Sequence, residues 1–305
     1  MAESLLVLLA DVAVRKLGSV MSEASIEMVP GTDLIKITAK LPGKKLGAFK
    51  AYPASHVYLG VPSASRPNRK PLSYISLAMT SNPFTVASVD EEKEELTLVA
   101  RQIHGPLTGA LSRLASLRSP DSKFELTLDG PYGAAAHFPD LAGGGFDKIL
   151  LVAGGIGSTF ILPLYEHVRK GNPAASVEFV WAVRDIDEVS WPVGNGAYSS
   201  DIVRLFLTDG EGKSTSVVAD SAAGFDDIEM NRLEKEKKGR TNIAVEDHKR
   251  PNLERIVDGV FRHNNHEKVA VVICGPVQMA RDLRKAVGFW VELGRDVWFH
   301  NESFG

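Results

Sequence analysis

Short stretches of alternating apolar and polar residues dominate the first part of the chain. Residues 26–29 and 34–39 read this way, and runs of strand length follow at 56–59, 85–89, 96–100 and 124–128. Alternation puts successive side chains on opposite faces of a strand, one buried and one wet. Turn-forming clusters separate these stretches, at Pro30-Gly31-Thr32-Asp33, Leu41-Pro42-Gly43-Lys44 and Asp129-Gly130-Pro131-Tyr132-Gly133. Short strands joined by such turns predict a small antiparallel barrel or sandwich. One helical interruption is expected at 107–117, where Leu107, Leu111, Leu114 and Leu117 recur at helical spacing.

The period then changes. Residues 148–153, 177–183, 201–208 and 269–274 are mostly apolar runs of strand length, and 297–300 is a short last strand. Helical segments are expected at 158–170 and 277–293. Apolar strands separated by helices predict a parallel sheet of βαβ units. The expected organisation is an N-terminal helix at 1–22, an antiparallel β-barrel domain at 23–140 and an α/β parallel-sheet domain at 141–305. Pro139 and Gly143-Gly144-Gly145 mark the boundary between the last two. The stretch 209–262, with a charged run from Arg232 to Arg240, reads as a solvated polar insertion.

Composition narrows the function. With 305 residues and a formal net charge of −3, the chain has no basic footprint for nucleic acid. A single cysteine, Cys274, excludes a disulfide framework and a cysteine-rich metal site. Residues 5–14 are apolar apart from Asp11. They are too few to cross a bilayer, which takes roughly 20. No Lys or Arg precedes them, which argues against a signal peptide. An amphipathic helix and the tail of a membrane helix both fit this start.

One motif stands out physically. Gly154-Gly155-Ile156-Gly157-Ser158-Thr159 follows an expected strand and opens an expected helix. Glycines permit a sharp turn and close approach of a phosphate, and the helix N-terminus offers unsatisfied N–H groups. A diphosphate is the natural guest. A tight turn without ligand fits the glycines as well, and the spacing is not the full dinucleotide fingerprint. Around this turn lie, in order, Asn82-Pro83-Phe84-Thr85-Val86-Ala87-Ser88, Asp129-Gly130-Pro131-Tyr132-Gly133, Trp181-Ala182-Val183-Arg184, Cys274-Gly275-Pro276-Val277-Gln278-Met279 and Glu302-Ser303-Phe304.

That ordered set resembles the FAD- and NADPH-binding region of the ferredoxin–NADP reductase superfamily. It is most like that of ferric reductases of fungal type and of NADPH oxidases. The resemblance runs from about Ile26 to the C-terminus, leaving out the insertion. It implies a β-barrel for FAD followed by an α/β domain for NADPH. Pro83, Phe84, Thr85, Val86, Ala87 and Ser88 fall on the family's flavin motif, with Asn82 in place of its histidine. The family's Phe and Thr border the flavin ring and ribityl chain. Gly105 and Thr108 fall on its second flavin segment, with Gly109 and Ala110 where basic residues are common. His56 and Tyr58 fall on a flavin-side strand. For each of these two, a plain strand residue is the other reading.

The nucleotide side carries over in the same way. Gly154, Gly155, Gly157 and Thr159 match the family's diphosphate turn. Arg184 matches the residue that meets the NADPH 2′-phosphate, unless it pairs with Asp185 or Asp187. Arg250, in Lys249-Arg250-Pro251-Asn252, matches a further nucleotide segment. Cys274, Gly275, Pro276 and Met279 match the turn beside the nicotinamide, where the thiol helps orient the hydride. The alternative for Cys274 is a buried small residue. Phe304 is the nearest candidate for the terminal aromatic that covers the flavin. The resemblance thus implies catalytic roles for Cys274, Thr85 and Phe304, with FAD and NADPH as cofactors and no metal bound by this chain. It implies an NADPH-dependent ferric-chelate reductase working at the cytosolic face of a membrane. Its electrons would pass through haem, carried by a membrane domain in cis, to a ferric chelate. An NADPH oxidase-type dehydrogenase and a non-catalytic nucleotide-binding remnant are the alternatives.

Overall fold

The computed structural model describes residues 18–62, 82–103, 105–117, 122–192, 203–208, 245–247, 249–262 and 266–303. The chain divides into two compact units, Met1–Val29 with Asp33–Phe138, and Pro30–Thr32 with Pro139–Gly305.

The first unit is a closed antiparallel barrel. Its strands are β1 (Val20–Met28), β2 (Leu34–Lys40), β3 (His56–Gly60), β4 (Asn82–Asp90), β5 (Glu95–Arg101) and β6 (Phe124–Tyr132), in the order β1-β2-β5-β4-β3-β6. Alternate residues turn inward, so Ile37, Leu59, Leu98 and Leu126 share one core. Helix α1 (Gly43–Ala51) adds Leu46 and Phe49 to it, and α2 (Pro106–Leu117) adds Leu107, Leu111 and Leu114 from one face. Closure removes every free sheet edge.

Two expectations fail here. The cluster at Leu41–Lys44 is more than a turn, because Pro42 sits just before α1 and Leu46 and Phe49 are buried one helical turn apart. The N-terminal helix cannot extend to residue 22: Val20 and Ser22 pair with Leu128 and Leu126 in β1. Residues 1–17 lie outside the described residues.

The second unit is a parallel sheet in the order β10-β9-β8-β7-β11-β12, formed by β7 (Lys148–Gly154), β8 (Ser176–Val183), β9 (Val203–Leu207), β10 (Val245–Asp247), β11 (Val269–Cys274) and β12 (Val297–Glu302). β7 and β11 supply buried residues to both faces. Helix α3 (Ser158–Gly171) buries Phe160, Ile161, Leu164, Tyr165 and Val168, with Tyr165 against Phe179. Helices α4 (Leu253–Phe261) and α5 (Val277–Glu292) form another cluster with Leu150, Val152, Val180 and Ile273.

The expected insertion at 209–262 is too long. Val245–Asp247 pairs in parallel with β9, and α4 buries Leu253, Ile256, Val257, Val260 and Phe261. Its apolar stripe makes α4 part of the domain core, whatever the charge of the run before it. Residues 209–244 lie outside the described residues. Among the described residues no helix is long and apolar enough to cross a membrane.

Candidate functional site

The order of the parallel sheet creates one special place. From β7 the chain winds outward through β8, β9 and β10, then returns to place β11 and β12 on the other side of β7. The gap between the C-terminal ends of β7 and β11 is a topological switch point, where open α/β sheets bind ligands. The glycine turn leaves β7 there, and Cys274-Gly275-Pro276 leaves β11 beside it. Cys274 pairs with Ala153 on one side and Glu302 on the other.

The two turns touch backbone to backbone. A Cβ at Gly157 would lie 2.0 Å from the Cys274 carbonyl oxygen, and one at Gly154 would lie 2.4 Å from Pro276 Cδ. Gly155 has φ +53°, in the left-handed region that glycine adopts at little cost. The Trp181 indole N–H donates to the Gly155 carbonyl at 3.0 Å and pins the turn from β8. Gly157 then leads into α3 with no side-chain cap. The first N–H groups of α3 therefore lack a side-chain acceptor, and the dipole end there is positive. An anionic diphosphate fits this cradle. Thr159 is buried and its hydroxyl donates to the Ile156 carbonyl at 2.9 Å, so it braces the turn.

Around the cradle the expected residues take different places. Arg184 follows β8 at the same end of the sheet, is exposed, and makes no ion pair with Asp185 or Asp187. Asp185 instead accepts from the Asp187 N–H and caps a 3-10 turn. Arg250 is exposed just before α4, whose N-cap is Asn252. Met279 packs against the α4–α5 cluster, and its sulfur lies close to both Gly154 and Gly275. Phe304 lies outside the described residues.

Cys274 is buried, and burial followed by the nearby Glu302 charge pushes its thiol up to about 12. The thiol is therefore neutral at physiological pH, suited to packing or orienting and unsuited to nucleophilic attack. Glu302 itself lies 2.8 Å from His300 Nε2. The charged residue beside the thiol was not singled out in the sequence, although the Glu302-Ser303-Phe304 stretch contained it.

The barrel offers a different surface. In β3, Val57 and Leu59 point inward, leaving His56 and Tyr58 on the outer side. His56 pairs with Thr85 and with Tyr132, and Tyr58 pairs with Pro83 and Asp129. The three rings of His56, Tyr58 and Tyr132 gather with centroids 5.5 to 6.1 Å apart. Tyr132 is 37% exposed and its hydroxyl donates to Asp129 at 3.0 Å. Gly133 passes so close that a Cβ would come 3.3 Å from His56 Nδ1. Flat, half-exposed rings suit a flat aromatic ligand. Tyr132 is the residue that motif reasoning quoted without assigning.

Two flavin expectations change. Phe84 and Val86 turn into the barrel core, while Thr85 takes the outward parity. A bulge between Val86 and Ser88 leaves Ala87 without a partner on β5. At the start of α2, the buried Thr108 hydroxyl donates to the Ile103 carbonyl at 2.8 Å, and the Gly105 N–H bonds to the same oxygen. Thr108 is thus spent on the turn. The first turn of α2 carries no acidic residue. Among the described residues no group of His, Cys, Asp and Glu is arranged to hold a metal ion.

Comparison with known proteins agrees with this division. The family model of a ferric reductase NAD binding domain matches residues 146–288, and that of an FAD-binding domain matches residues 19–136. Probable metalloreductase AIM14 of Scheffersomyces stipitis is 23% identical over 84% of this chain and 47% of that protein. Ferric/cupric reductase transmembrane component 2 of Schizosaccharomyces pombe is 22% identical over 89% of this chain and 52% of that protein. The chain spans about half the length of these relatives. Among solved structures, a ferredoxin NADP+ reductase from Neisseria gonorrhoeae with bound FAD and NADP shares the fold. Its TM-score is 0.55 at 15% identity, over 93% of this chain and 98% of that one. With an FAD-binding domain and a nicotinamide-nucleotide-binding domain in tandem, the chain belongs to the ferric reductase family.

Proposed function

We propose that the chain is the dehydrogenase part of an NADPH-dependent ferric-chelate reductase. Its activity is transfer of hydride from NADPH to FAD, followed by delivery of single electrons toward haem and ferric iron. The observation that carries this reading is the switch point, where the uncapped glycine turn and the Cys274 turn meet. FAD, when bound, supplies a two-electron acceptor that can release its electrons one at a time.

The chain's own residues do the rest. The backbone of Gly154, Gly155 and Gly157 and the start of α3 hold the NADPH diphosphate. Arg184, exposed and with no acidic partner among the described residues, selects the 2′-phosphate by charge and a forked set of donors. Arg250 adds positive charge. The neutral Cys274 thiol, with Gly275 and Pro276, orients the nicotinamide for hydride departure. On the barrel, His56, Tyr58 and Tyr132 offer ring faces to the flavin, and Pro83, Thr85 and Ser88 border it. A ring-bordering role therefore rests on Thr85 and the aromatic cluster, not on Phe84. A haem-bearing membrane domain in cis would receive the electrons at the cytosolic side, and the transmembrane relative supports that placement.

The test is direct. Purified chain, reconstituted with FAD, should lose its flavin absorbance band on anaerobic addition of NADPH, faster than with NADH. Reoxidation by a ferric chelate, outpacing that by oxygen, is the expected second phase. A chain that takes up no FAD, or whose FAD stays oxidised, defeats the proposal. Reoxidation by oxygen alone would favour an oxidase.

A further inference from the structure

We infer that His300 is a positioning residue, whose ring holds the Glu302 carboxylate in place beside the Cys274 thiol. The inference rests on the hydride-transfer reading of Cys274 proposed above, and it adds a residue that neither the motifs nor the family comparison assigned.

The geometry comes from three neighbouring elements. Trp298, His300 and Glu302 are alternate residues of β12 and share one face. His300 Nε2 lies 2.8 Å from Glu302 Oε2, with the two side chains only 21% and 17% exposed. The imidazole is stacked on Trp298 at 5.9 Å and 10°, and on Phe160 of α3 at 6.2 Å and 24°. Stacking fixes the ring plane, so its nitrogen has one direction to donate along. Glutamate is otherwise a flexible chain, with side-chain entropy to lose. Cys274 stands directly opposite Glu302 in the parallel ladder. Glu302 is also the charged group that acts on the thiol. Phe160, three residues beyond Gly157, ties the arrangement to the nucleotide turn.

Such a clamp has a chemical use. When hydride leaves a dihydronicotinamide, with its electron pair, positive charge develops on the ring left behind. A carboxylate fixed at the end of β12 would face that charge without reorganising. Left unclamped, it would have to be ordered in each turnover.

Two substitutions separate the donor from the stack. His300→Phe keeps the ring and removes the donor. His300→Gln keeps a donor and removes the ring. One readout is the limiting rate of flavin reduction in FAD-loaded protein, measured beside the Kd for NADPH. The other needs no cofactor: iodoacetamide alkylation of the protein against pH, where the single cysteine gives one adduct by mass. With His300→Phe we expect the rate to fall on the order of 10- to 100-fold. The Kd should not change, and the alkylation profile should move to lower pH as the freed carboxylate leaves the thiol. His300→Gln should restore both. Should His300→Phe fail to fold, Glu302→Gln is expected to give the same slow rate and shifted profile. A normal rate and profile without the donor, or equal losses in both His300 variants, would overturn the inference while leaving the hydride-transfer reading intact. Wild-type protein whose FAD is not reduced by NADPH would overturn both.

Discussion

The two units meet their expected ligands with different materials. The sheet builds its cradle from backbone: glycines at the end of β7, a turn after β11, and the bare start of α3. The barrel builds its platform from side chains, three rings carried by β3 and β6. Backbone sites tolerate no added atoms, because neither partner can move cheaply. Side-chain sites tolerate substitution, and lose affinity ring by ring. The same difference should govern how each unit responds to mutation.

The largest effect is expected at Gly157. Its Cβ would sit 2.0 Å from the Cys274 carbonyl oxygen, a clash of the added carbon with backbone that cannot swing aside. Gly157→Ala should cost about 3 kcal/mol or more, at the upper end for overpacking, and should abolish reduction by NADPH. Thermal melting checks it. A variant that melts within a degree or two of wild type would show that the two turns do not pack as described.

Next comes Arg184. It is exposed and free of ion pairs with its acidic neighbours, so its removal should leave the fold alone. Losing a hydrogen bond to a charged group should weaken NADPH binding by about tenfold or more while leaving NADH unaffected. Stopped-flow titration with both nucleotides measures the ratio. If the preference for NADPH survives Arg184→Ala, another residue reads the 2′-phosphate.

Smaller still is the barrel's response. Tyr132→Ala removes one ring of three and should weaken FAD binding about 2- to 10-fold, in line with about 0.5–1.5 kcal/mol for an aromatic contact. Tyr132→Phe should keep most of that affinity, since it keeps the ring and gives up the hydroxyl that bonds Asp129. Fluorescence titration of the apoprotein with FAD separates the two. If Tyr132→Ala binds as tightly as wild type, the ring cluster is structural and the platform lies elsewhere.

The contrast also explains what the sequence disclosed. Backbone turns announce themselves, because only glycine serves: Gly154-Gly155-Ile156-Gly157 marked a sharp strand-to-helix turn, while its diphosphate was preferred over an empty turn only with the resemblance. The barrel platform needed strand parity and pairing. Residue order says nothing of which of Phe84 and Thr85 faces out, and parity sent Phe84 to the core. Tyr132 comes beside His56 only through the pairing of β3 with β6. Thr108 looked available until its hydroxyl was found on Ile103. Helix α4 was hidden because the charged run before it set the tone of the whole segment, although Leu253, Ile256, Val257 and Val260 carry a helical stripe. Glu302 gains meaning only from lying opposite Cys274.

The last comparison turns on that thiol. In the fold, burial and Glu302 hold it at about 12, against 9.0 for an ordinary cysteine. A raised folded value means that the folded state keeps its proton where the unfolded chain has lost it. The resulting stability is complete below about pH 9 and drains away as pH rises toward 12. Within that window the loss approaches about 1.4 kcal/mol per pH unit. Cys274→Ala lacks the titrating group, so its stability should fall less steeply across the same range. Urea unfolding at pH 8 and pH 10 measures how much more stability wild type loses than the variant, which should be about 1.4 kcal/mol over that range. Equal slopes would mean that the thiol titrates alike in both states. Burial and the Glu302 charge would then not act on the thiol as the fold places them, and the barrel's aromatic platform would be untouched by that result.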